Sequence, residues 1–145
     1  EGGSVSLRLR LLLLALAGAF MIAAVGPAAS ATTTPFRANV HDLLFCPGVD
    51  LCGSGVIQGF GTVTTTFAFG TGERVFTLDS DGSTLRLLLA PTDTTGVRLN
   101  GTWTILGGSG VFAGATGSGE LWAVPTGAPE FSDTAHFRGT ITLPA

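Results

Sequence analysis

The sequence contains no lysine and no tyrosine, one methionine, two cysteines and two histidines, and only 12% of its 145 residues are charged. From Thr32 onward five arginines stand against nine acidic residues, a net charge of −4. A protein that binds nucleic acid by neutralising phosphates needs an excess of basic residues, so no nucleic-acid partner is expected. Two histidines and two cysteines offer no four-ligand group for structural zinc. We therefore expect no metal site and no other cofactor.

The first 31 residues are typical of a secretory signal peptide. Arg8 and Arg10 precede an uncharged run, residues 11–25, and the segment ends in Ala29-Ser30-Ala31. These are the basic, apolar and small-residue regions of such a signal, with cleavage after Ala31. A retained membrane anchor is the alternative, because the uncharged stretch approaches the roughly 20 residues that span a bilayer. The helix-breaking Gly26-Pro27 pair favours cleavage, so residues 32–145 are expected to form one secreted domain without a membrane span.

Cys46 and Cys52 are the only cysteines. In an exported protein such a pair is more often a disulfide than a metal site. A redox-active pair would have the Cys-x-x-Cys spacing and a helix start to lower a thiol pKa, and neither is present. The sequence therefore predicts a structural Cys46–Cys52 disulfide.

Alternation of apolar and polar residues predicts an all-β domain. Along residues 97–106, Leu99, Gly101 and Trp103 share one face, and residues 134–143 repeat the scheme with Phe137, Gly139 and Ile141. Period two is the pattern of a half-buried strand. The glycine in the middle of each apolar face allows strong curvature or close backbone approach.

Seven segments are predicted as strands: residues 36–45, 56–69, 74–79, 84–90, 97–106, 119–124 and 134–143. Residues 80–83 have the composition of a hairpin turn, and residues 91–96 and 125–129 that of loops. Seven or eight short antiparallel strands fit a closed barrel or a two-sheet sandwich. Glycines on the apolar faces favour the barrel, because closure needs bending and removes unpaired edges.

Two glycine-rich segments, residues 53–59 and 108–114, read G-x-G-x-x-x-G. A dinucleotide-binding motif would place such glycines between a strand and a helix, whose N-terminal amides hold the pyrophosphate. No helical pattern follows either segment, so we interpret both as β-turns and bulges.

The second glycine-rich segment has a wider context, Gly-Gly-Ser-Gly-Val-Phe-Ala-Gly-Ala-Thr-Gly at residues 107–117. It resembles a Gly-Gly-[Ser/Thr]-Gly-x-Phe-x-x-Ala-x-Gly signature of allene oxide cyclases and dirigent proteins, and of exported bacterial proteins similar to them. The resemblance implies an eight-stranded antiparallel barrel with an apolar lumen, often trimeric, that steers a reactive intermediate by shape. No catalytic residue of that family aligns with a position in this chain.

Inside a barrel, the apolar faces supply the candidate ligand-lining residues Trp103, Phe137, Leu99 and Ile141. Packing alone explains the two aromatic residues, and ligand contact is a second role for them. On the same reasoning His136, Arg138 and Arg98 point outward to solvent.

Asp42 and Glu120 are the candidate catalytic residues. Within the predicted strand at residues 36–45 Asp42 shares a face with Ala38 and Val40, but the simpler interpretation, which we favour, ends this strand at His41 so that Asp42 begins the loop to Cys46. If the strand continued, the inward carboxylate would be partly desolvated and suited to proton transfer or to stabilising a cationic intermediate. Glu120 shares a face with Trp122. Two interpretations remain for it: a position on a water-exposed rim, or a place in an aromatic-lined pocket.

Three functions remain for such a barrel. The leading hypothesis is a non-catalytic binder that buries one small apolar ligand, which an eight-stranded barrel is wide enough to hold. The second is an isomerase or cyclase in which Asp42 or Glu120 stabilises charge. The third is a filled barrel that serves as a structural or cell-surface module.

Overall fold

The computed structural model describes residues 30–44, 46–93, 98–125 and 132–145. Eight strands make up most of them: β1 (Thr32–Leu44), β2 (Leu51–Ile57), β3 (Gly61–Ala68), β4 (Glu73–Leu78), β5 (Thr84–Asp93), β6 (Leu99–Gly108), β7 (Thr116–Pro125) and β8 (Ser132–Leu143). Each strand pairs antiparallel with the next, and β8 pairs with β1 to close the barrel. The all-β class and the closed antiparallel barrel are thereby confirmed, and the sandwich is set aside.

The predicted signal peptide falls almost entirely outside the described residues, and its cleavage stays a prediction. Within the part of the chain that is described, no helix is long and apolar enough to span a membrane. Phe45, Val97 and the loop positions 94–96 and 126–129 also lie outside the described residues.

The single strand predicted at residues 56–69 is wrong, because the chain reverses in its middle. A turn at residues 58–60 separates β2 from β3, with Gly59 at φ 86° and the Phe60 amide donating to the Ile57 carbonyl at 3.0 Å. Ile57 on β2 and Val63 on β3 both face inward, and an even number of positions separates them. The period-two alternation therefore continues through the turn with the same phase, so the alternation alone does not reveal that the chain reverses.

The loop predicted at residues 91–96 begins too early. β5 continues to Asp93, with Pro91 opposite Gly101 and a register irregularity between Pro91 and Asp93. Proline donates no ladder hydrogen bond and is accommodated in strands at bulges. The hairpin turn predicted at residues 80–83 is confirmed, with the Leu78 amide donating to the Ser83 carbonyl at 2.8 Å.

Trp103 occupies the middle of the barrel, and two glycines make room for it. A Cβ atom at Gly139 would lie 2.6 Å from Cζ2 of the indole, and one at Gly119 would lie 2.7 Å from it. The indole Nε1 donates to the Glu120 carbonyl at 3.0 Å, and the ring packs on Phe36 at a centroid distance of 5.0 Å. The glycine predicted in the middle of the β8 apolar face therefore allows a close approach.

One end of the barrel is closed by a short 3₁₀ helix, Gly110–Phe112, between β6 and β7. The Phe112 side chain is fully buried and packs against Phe60 at 4.9 Å between ring centroids. A Cβ atom at Gly108 would lie 2.7 Å from Cβ of Phe112, so this glycine lets the segment fold back over the barrel. The glycine-rich residues 107–117 are thus an end plug, and we call this the plugged end. Residues 53–59 lie in β2 and the turn after it.

Candidate functional site

The opposite end of the barrel contains a cavity of about 280 Å³, which we call the lumen cavity. Its walls come from the strand ends that meet there and from the turn after β3. The lining residues are Leu51, Phe67, Phe69, Arg74, Leu89, Pro91, Leu99, Leu121, Ala123, Pro125, Ser132, Asp133, Ala135 and Phe137. Most of these side chains are apolar, so the walls favour an apolar ligand.

Small side chains explain why this end is open. Ala123 and Ala135 are register partners on β7 and β8, and both face inward where a larger side chain would fill the space. Phe137 and Phe76 meet edge to face at a centroid distance of 5.4 Å. Phe76 is fully buried and does not line the cavity, so this aromatic pair forms the floor between the lumen cavity and the packed core.

A buried ion pair lies in the wall of the lumen cavity. Arg74 on β4 donates from Nη1 and Nη2 to the two carboxylate oxygens of Asp42 on β1, at 2.9 and 2.7 Å. Nη1 also donates to the Thr65 hydroxyl at 2.6 Å. The side chains of Arg74 and Asp42 are only 3% and 0% exposed. Replacing a buried pair by apolar residues of similar volume is often neutral or stabilising, so the gain in folding stability does not by itself explain this pair.

The surroundings of Arg74 and Asp42 fit the two groups closely. The guanidinium carbon of Arg74 lies 5.3 Å from the ring centroid of Phe67 and 5.7 Å from that of Phe137. Both distances are within the range of cation–π attraction. Gly53 is the register partner of Asp42, and a Cβ atom there would lie 2.6 Å from Oδ1 of the carboxylate. The glycine predicted to serve a turn or bulge therefore makes room for the ion pair.

Asp133 adds a second carboxyl group beside this pair. It is the register partner of Asp42 on β8 and is half-buried at the lumen cavity. Burial raises the pKa of Asp133 to about 6, and the negative charge of Asp42 and a hydrogen bond to it act in the same direction, while the charge of Arg74 opposes them. A carboxyl group with such a pKa changes its protonation state near neutral pH and is able to give or take a proton.

Two buried polar atoms of this cluster lack a hydrogen-bond partner among the described residues: Nε of Arg74 and Oδ1 of Asp133. One is a donor and the other is an acceptor. A buried polar atom without a partner costs about 1–3 kcal/mol, and such atoms are uncommon in folded proteins. Both residues line the lumen cavity, but neither atom is exposed to it, so a small side-chain movement is needed before either can bond to a polar group of a bound molecule.

The structure places the predicted site residues in four environments: the lumen cavity, the packed core, the buried ion pair and the outer surface. Leu99 and Phe137 line the lumen cavity, whereas Trp103 and Ile141 are buried in the packed core and do not reach it. The expectation that the first strand ends at His41 is wrong, since β1 continues to Leu44 and turns Asp42 inward.

Glu120 is exposed on the outer surface of β7, so its side chain cannot act in the lumen. Arg98 and Arg138 are exposed and His136 is half-buried on the outer surface, as the alternation predicts.

Arg74 and Asp133 were not singled out from the sequence, although both carry a signal. Arg74 alternates in phase with Phe76 and Leu78, which places a charged residue on an apolar face. Asp133 stands one residue before the predicted strand at 134–143 and in phase with Ala135 and Phe137. A charged residue in phase with a buried face is the signal to look for in such strands.

The predicted disulfide is present at the same end of the barrel. Cys46 and Cys52 are bonded, with their Cα atoms 5.8 Å apart, and they connect the β1–β2 loop to the start of β2. A structural disulfide is the usual finding in an extracellular protein. Export itself stays a prediction.

No protein-family model matches the chain, and no curated protein matches it. Among solved structures, a pterocarpan synthase dirigent protein is similar to it with a TM-score of 0.39 and 11% sequence identity. That match covers 87% of this chain and 96% of the dirigent protein.

Proposed function

We propose that the protein is a secreted binder of one small apolar molecule that carries a single hydroxyl group. The observation that carries this proposal is an apolar cavity lined by Arg74 and Asp133, each of which has one unsatisfied polar atom, the donor Nε and the acceptor Oδ1. A hydroxyl group both accepts and donates, so one such group is suited to both atoms once a small movement of the two side chains exposes them to the cavity. The rest of the ligand would be held by burial against apolar side chains.

The volume of the lumen cavity limits the ligand. At about 30 Å³ for each water molecule, the space corresponds to roughly nine waters. A ligand of about ten non-hydrogen atoms therefore fits, and we expect a dissociation constant of about 1–100 µM for a molecule of that size.

Menthol and p-menthane test the proposal, because they share a carbon skeleton and differ by the hydroxyl group. We expect menthol to shift the amide NMR signals of β7 and β8 at the lumen cavity. It should bind at least about fivefold more tightly than p-menthane, because each of the two hydrogen bonds of the hydroxyl group contributes roughly 0.5–1.5 kcal/mol. Equal affinity for the two molecules would contradict the role of Arg74 and Asp133, and no binding of either would contradict the proposal itself.

A matched pair of variants locates the binding. Ala123→Phe places a ring in the lumen cavity, and Ala90→Phe places the same ring on the exposed face of β5. The first should abolish menthol binding in a protein whose NMR spectrum remains folded, and the second should leave it unchanged. Equal binding by both variants would place the ligand elsewhere.

A second candidate function is an isomerase or cyclase acting in the same cavity. The pKa of Asp133 near 6 favours it, because a carboxyl group that titrates near neutral pH is suited to general acid–base catalysis. Asp42 does not line the cavity and would act on a cationic intermediate only through Arg74, to which it is bonded. With any substrate found to be turned over, Asp133→Asn should abolish the pH dependence of kcat, and an unchanged profile would exclude the role.

A further inference from the structure

The outer surface of the barrel carries a second concave site, on the other side of the wall from the lumen cavity. A groove of about 420 Å³ crosses β2, β1, β8 and β7 on this face. We call it the outer groove and define it by its polar and aromatic residues, Arg37, Asn39, Gln58, Trp122, His136 and Arg138. The binding function proposed for the lumen does not use any of these side chains.

The outer groove brings two arginines together on neighbouring strands, although Arg138 also stands opposite Glu120, its register partner on β7. Arg37 on β1 and Arg138 on β8 are register partners. Like charges directly opposite each other on neighbouring strands destabilise a sheet. The Arg74–Asp42 and Arg86–Glu73 ion pairs lie outside the outer groove. The opposed arginines are therefore a place where an added anion relieves repulsion.

Trp122 holds this part of the groove in a fixed arrangement. The His136 ring stacks on it at 5.1 Å with an interplanar angle of 22°, and His136 Nδ1 lies 2.7 Å from Oδ1 of Asn39. The guanidinium carbons of Arg98 and Arg138 lie 5.0 and 5.7 Å from ring centroids of the indole. Cation–π contacts of this kind position the arginines before any ligand arrives.

The positive groups of this face are Arg37 on β1, Arg138 on β8 and Arg98, which immediately precedes β6, and Trp122 of β7 contacts both Arg138 and Arg98. Glu120, the register partner of Arg138 on β7, lies beside this group. Strands in a sheet lie about 4.8 Å apart, so cationic groups are repeated across the face at about one or two strand spacings. This arrangement fits an extended chain with an anionic group on successive units better than it fits a single small anion.

We propose that the outer groove binds an acidic polysaccharide, a linear chain of uronic acid residues. Arginine recognises carboxylates through two parallel hydrogen bonds, and the opposed Arg37 and Arg138 offer two such guanidinium groups to one carboxylate. The amide groups of Asn39 and Gln58 in the same groove are suited to the hydroxyl groups of sugar rings.

Two other polyanionic partners fit the groove less well. Single-stranded nucleic acid binds by stacking bases on exposed aromatic rings, and the Trp122 ring is already covered by His136 and arginine side chains. An anionic membrane surface favours aromatic and basic side chains that project from the protein, whereas Trp122 is half-buried in a concave groove.

Calorimetric titration with galacturonate oligomers tests the proposal, with the same oligomers in fully methyl-esterified form as the uncharged control. We expect binding of the acidic oligomers alone. The Arg37→Gln/Arg138→Gln double variant should bind at least tenfold more weakly. Arg86→Gln removes one positive charge from β5 outside the groove and should change the affinity less than twofold. The affinity should fall with salt, with a log–log slope of about −2.

The proposal is overturned if the acidic oligomers do not bind, if the methyl esters bind equally well, or if the double variant retains wild-type affinity. Tighter binding of oligothymidylate or of phosphatidylglycerol vesicles than of galacturonate also overturns it. Self-association that is lost in the double variant, measured by light scattering, would instead identify the groove as an interface between copies of the chain. None of these outcomes concerns menthol, so this proposal and that for the lumen cavity fail independently.

Discussion

The two ends of the barrel are built from the same alternating strands, but large side chains fill one of them and small ones leave the other open. At the plugged end a short 3₁₀ helix contributes Phe112, whose side chain is fully buried. At the opposite end Ala123 and Ala135 take the inward positions, and a buried ion pair stands in the wall. The strand pattern therefore defines the barrel, while the size of a few inward side chains decides whether an end is core or cavity.

The largest expected effect is at the plugged end. Phe112→Ala removes a fully buried ring and should lower the free energy of unfolding by about 3–5 kcal/mol. Phe69→Ala makes the same change at the mouth of the lumen cavity, where the side chain is 60% exposed, and should cost less than about 1 kcal/mol. Urea unfolding measures both, and equal losses would mean that the two ends are packed alike.

The buried ion pair at the open end should show the next largest effect. Asp42→Ala leaves Arg74 charged and unpaired in the wall and should destabilise the protein by about 3 kcal/mol. The double variant Asp42→Leu/Arg74→Met removes both charges and should recover most of that loss. Urea unfolding of the wild type, Asp42→Ala and the double variant measures the three stabilities. A double variant as unstable as Asp42→Ala would show that the pair is needed for folding.

The disulfide at the open end should contribute less than the ion pair. Cys46→Ser/Cys52→Ser opens a small loop, and loop-closure entropy gives a loss of about 2 kcal/mol. Thermal unfolding of the variant, compared with that of the wild type with and without reductant, measures the effect. A variant as stable as the oxidised wild type would mean that packing alone holds the β1–β2 loop.

The smallest effect concerns Asp133 and depends on pH. Its pKa is raised to about 6 in the folded protein from an ordinary value of 3.8, so the folded state binds the additional proton. Stability should therefore fall as pH rises from about 4 to about 6, and the loss remains above that range.

Asp133→Asn should accordingly stabilise the protein at pH 7 by about 1 kcal/mol, a value reduced for the solvent exposure of this half-buried group. It should also flatten the fall in melting temperature between pH 4 and 7. Asp79→Asn, in the exposed β4–β5 turn, is the control and should leave the profile unchanged. A lower melting temperature for Asp133→Asn at pH 7 would contradict the assigned environment.

Period-two alternation was sufficient to predict an all-β domain, because it depends only on which face of each strand is buried, and the glycines on the apolar faces favoured the barrel over the sandwich. It was insufficient at the β2–β3 turn, where the reversal keeps the same phase. It placed Asp42 in phase with Ala38 and Val40 but did not decide between a longer strand and a loop that begins at Asp42, because the ends of a strand are the least well-defined part of the pattern. The partner that compensates an inward carboxylate, Arg74, comes from β4, and no local pattern shows which strands meet across a lumen. The cavity itself depends on side-chain volumes summed over seven strands, which alternation does not report.

The central claim is that the open end holds an apolar ligand whose hydroxyl group satisfies Arg74 and Asp133. A crystal structure of the protein grown with menthol tests it most directly. We predict ligand density in the lumen cavity, with the hydroxyl oxygen within hydrogen-bond distance of Arg74 Nε and Asp133 Oδ1. A cavity filled by its own side chains, or menthol bound with its hydroxyl group turned away from both atoms, would contradict the claim.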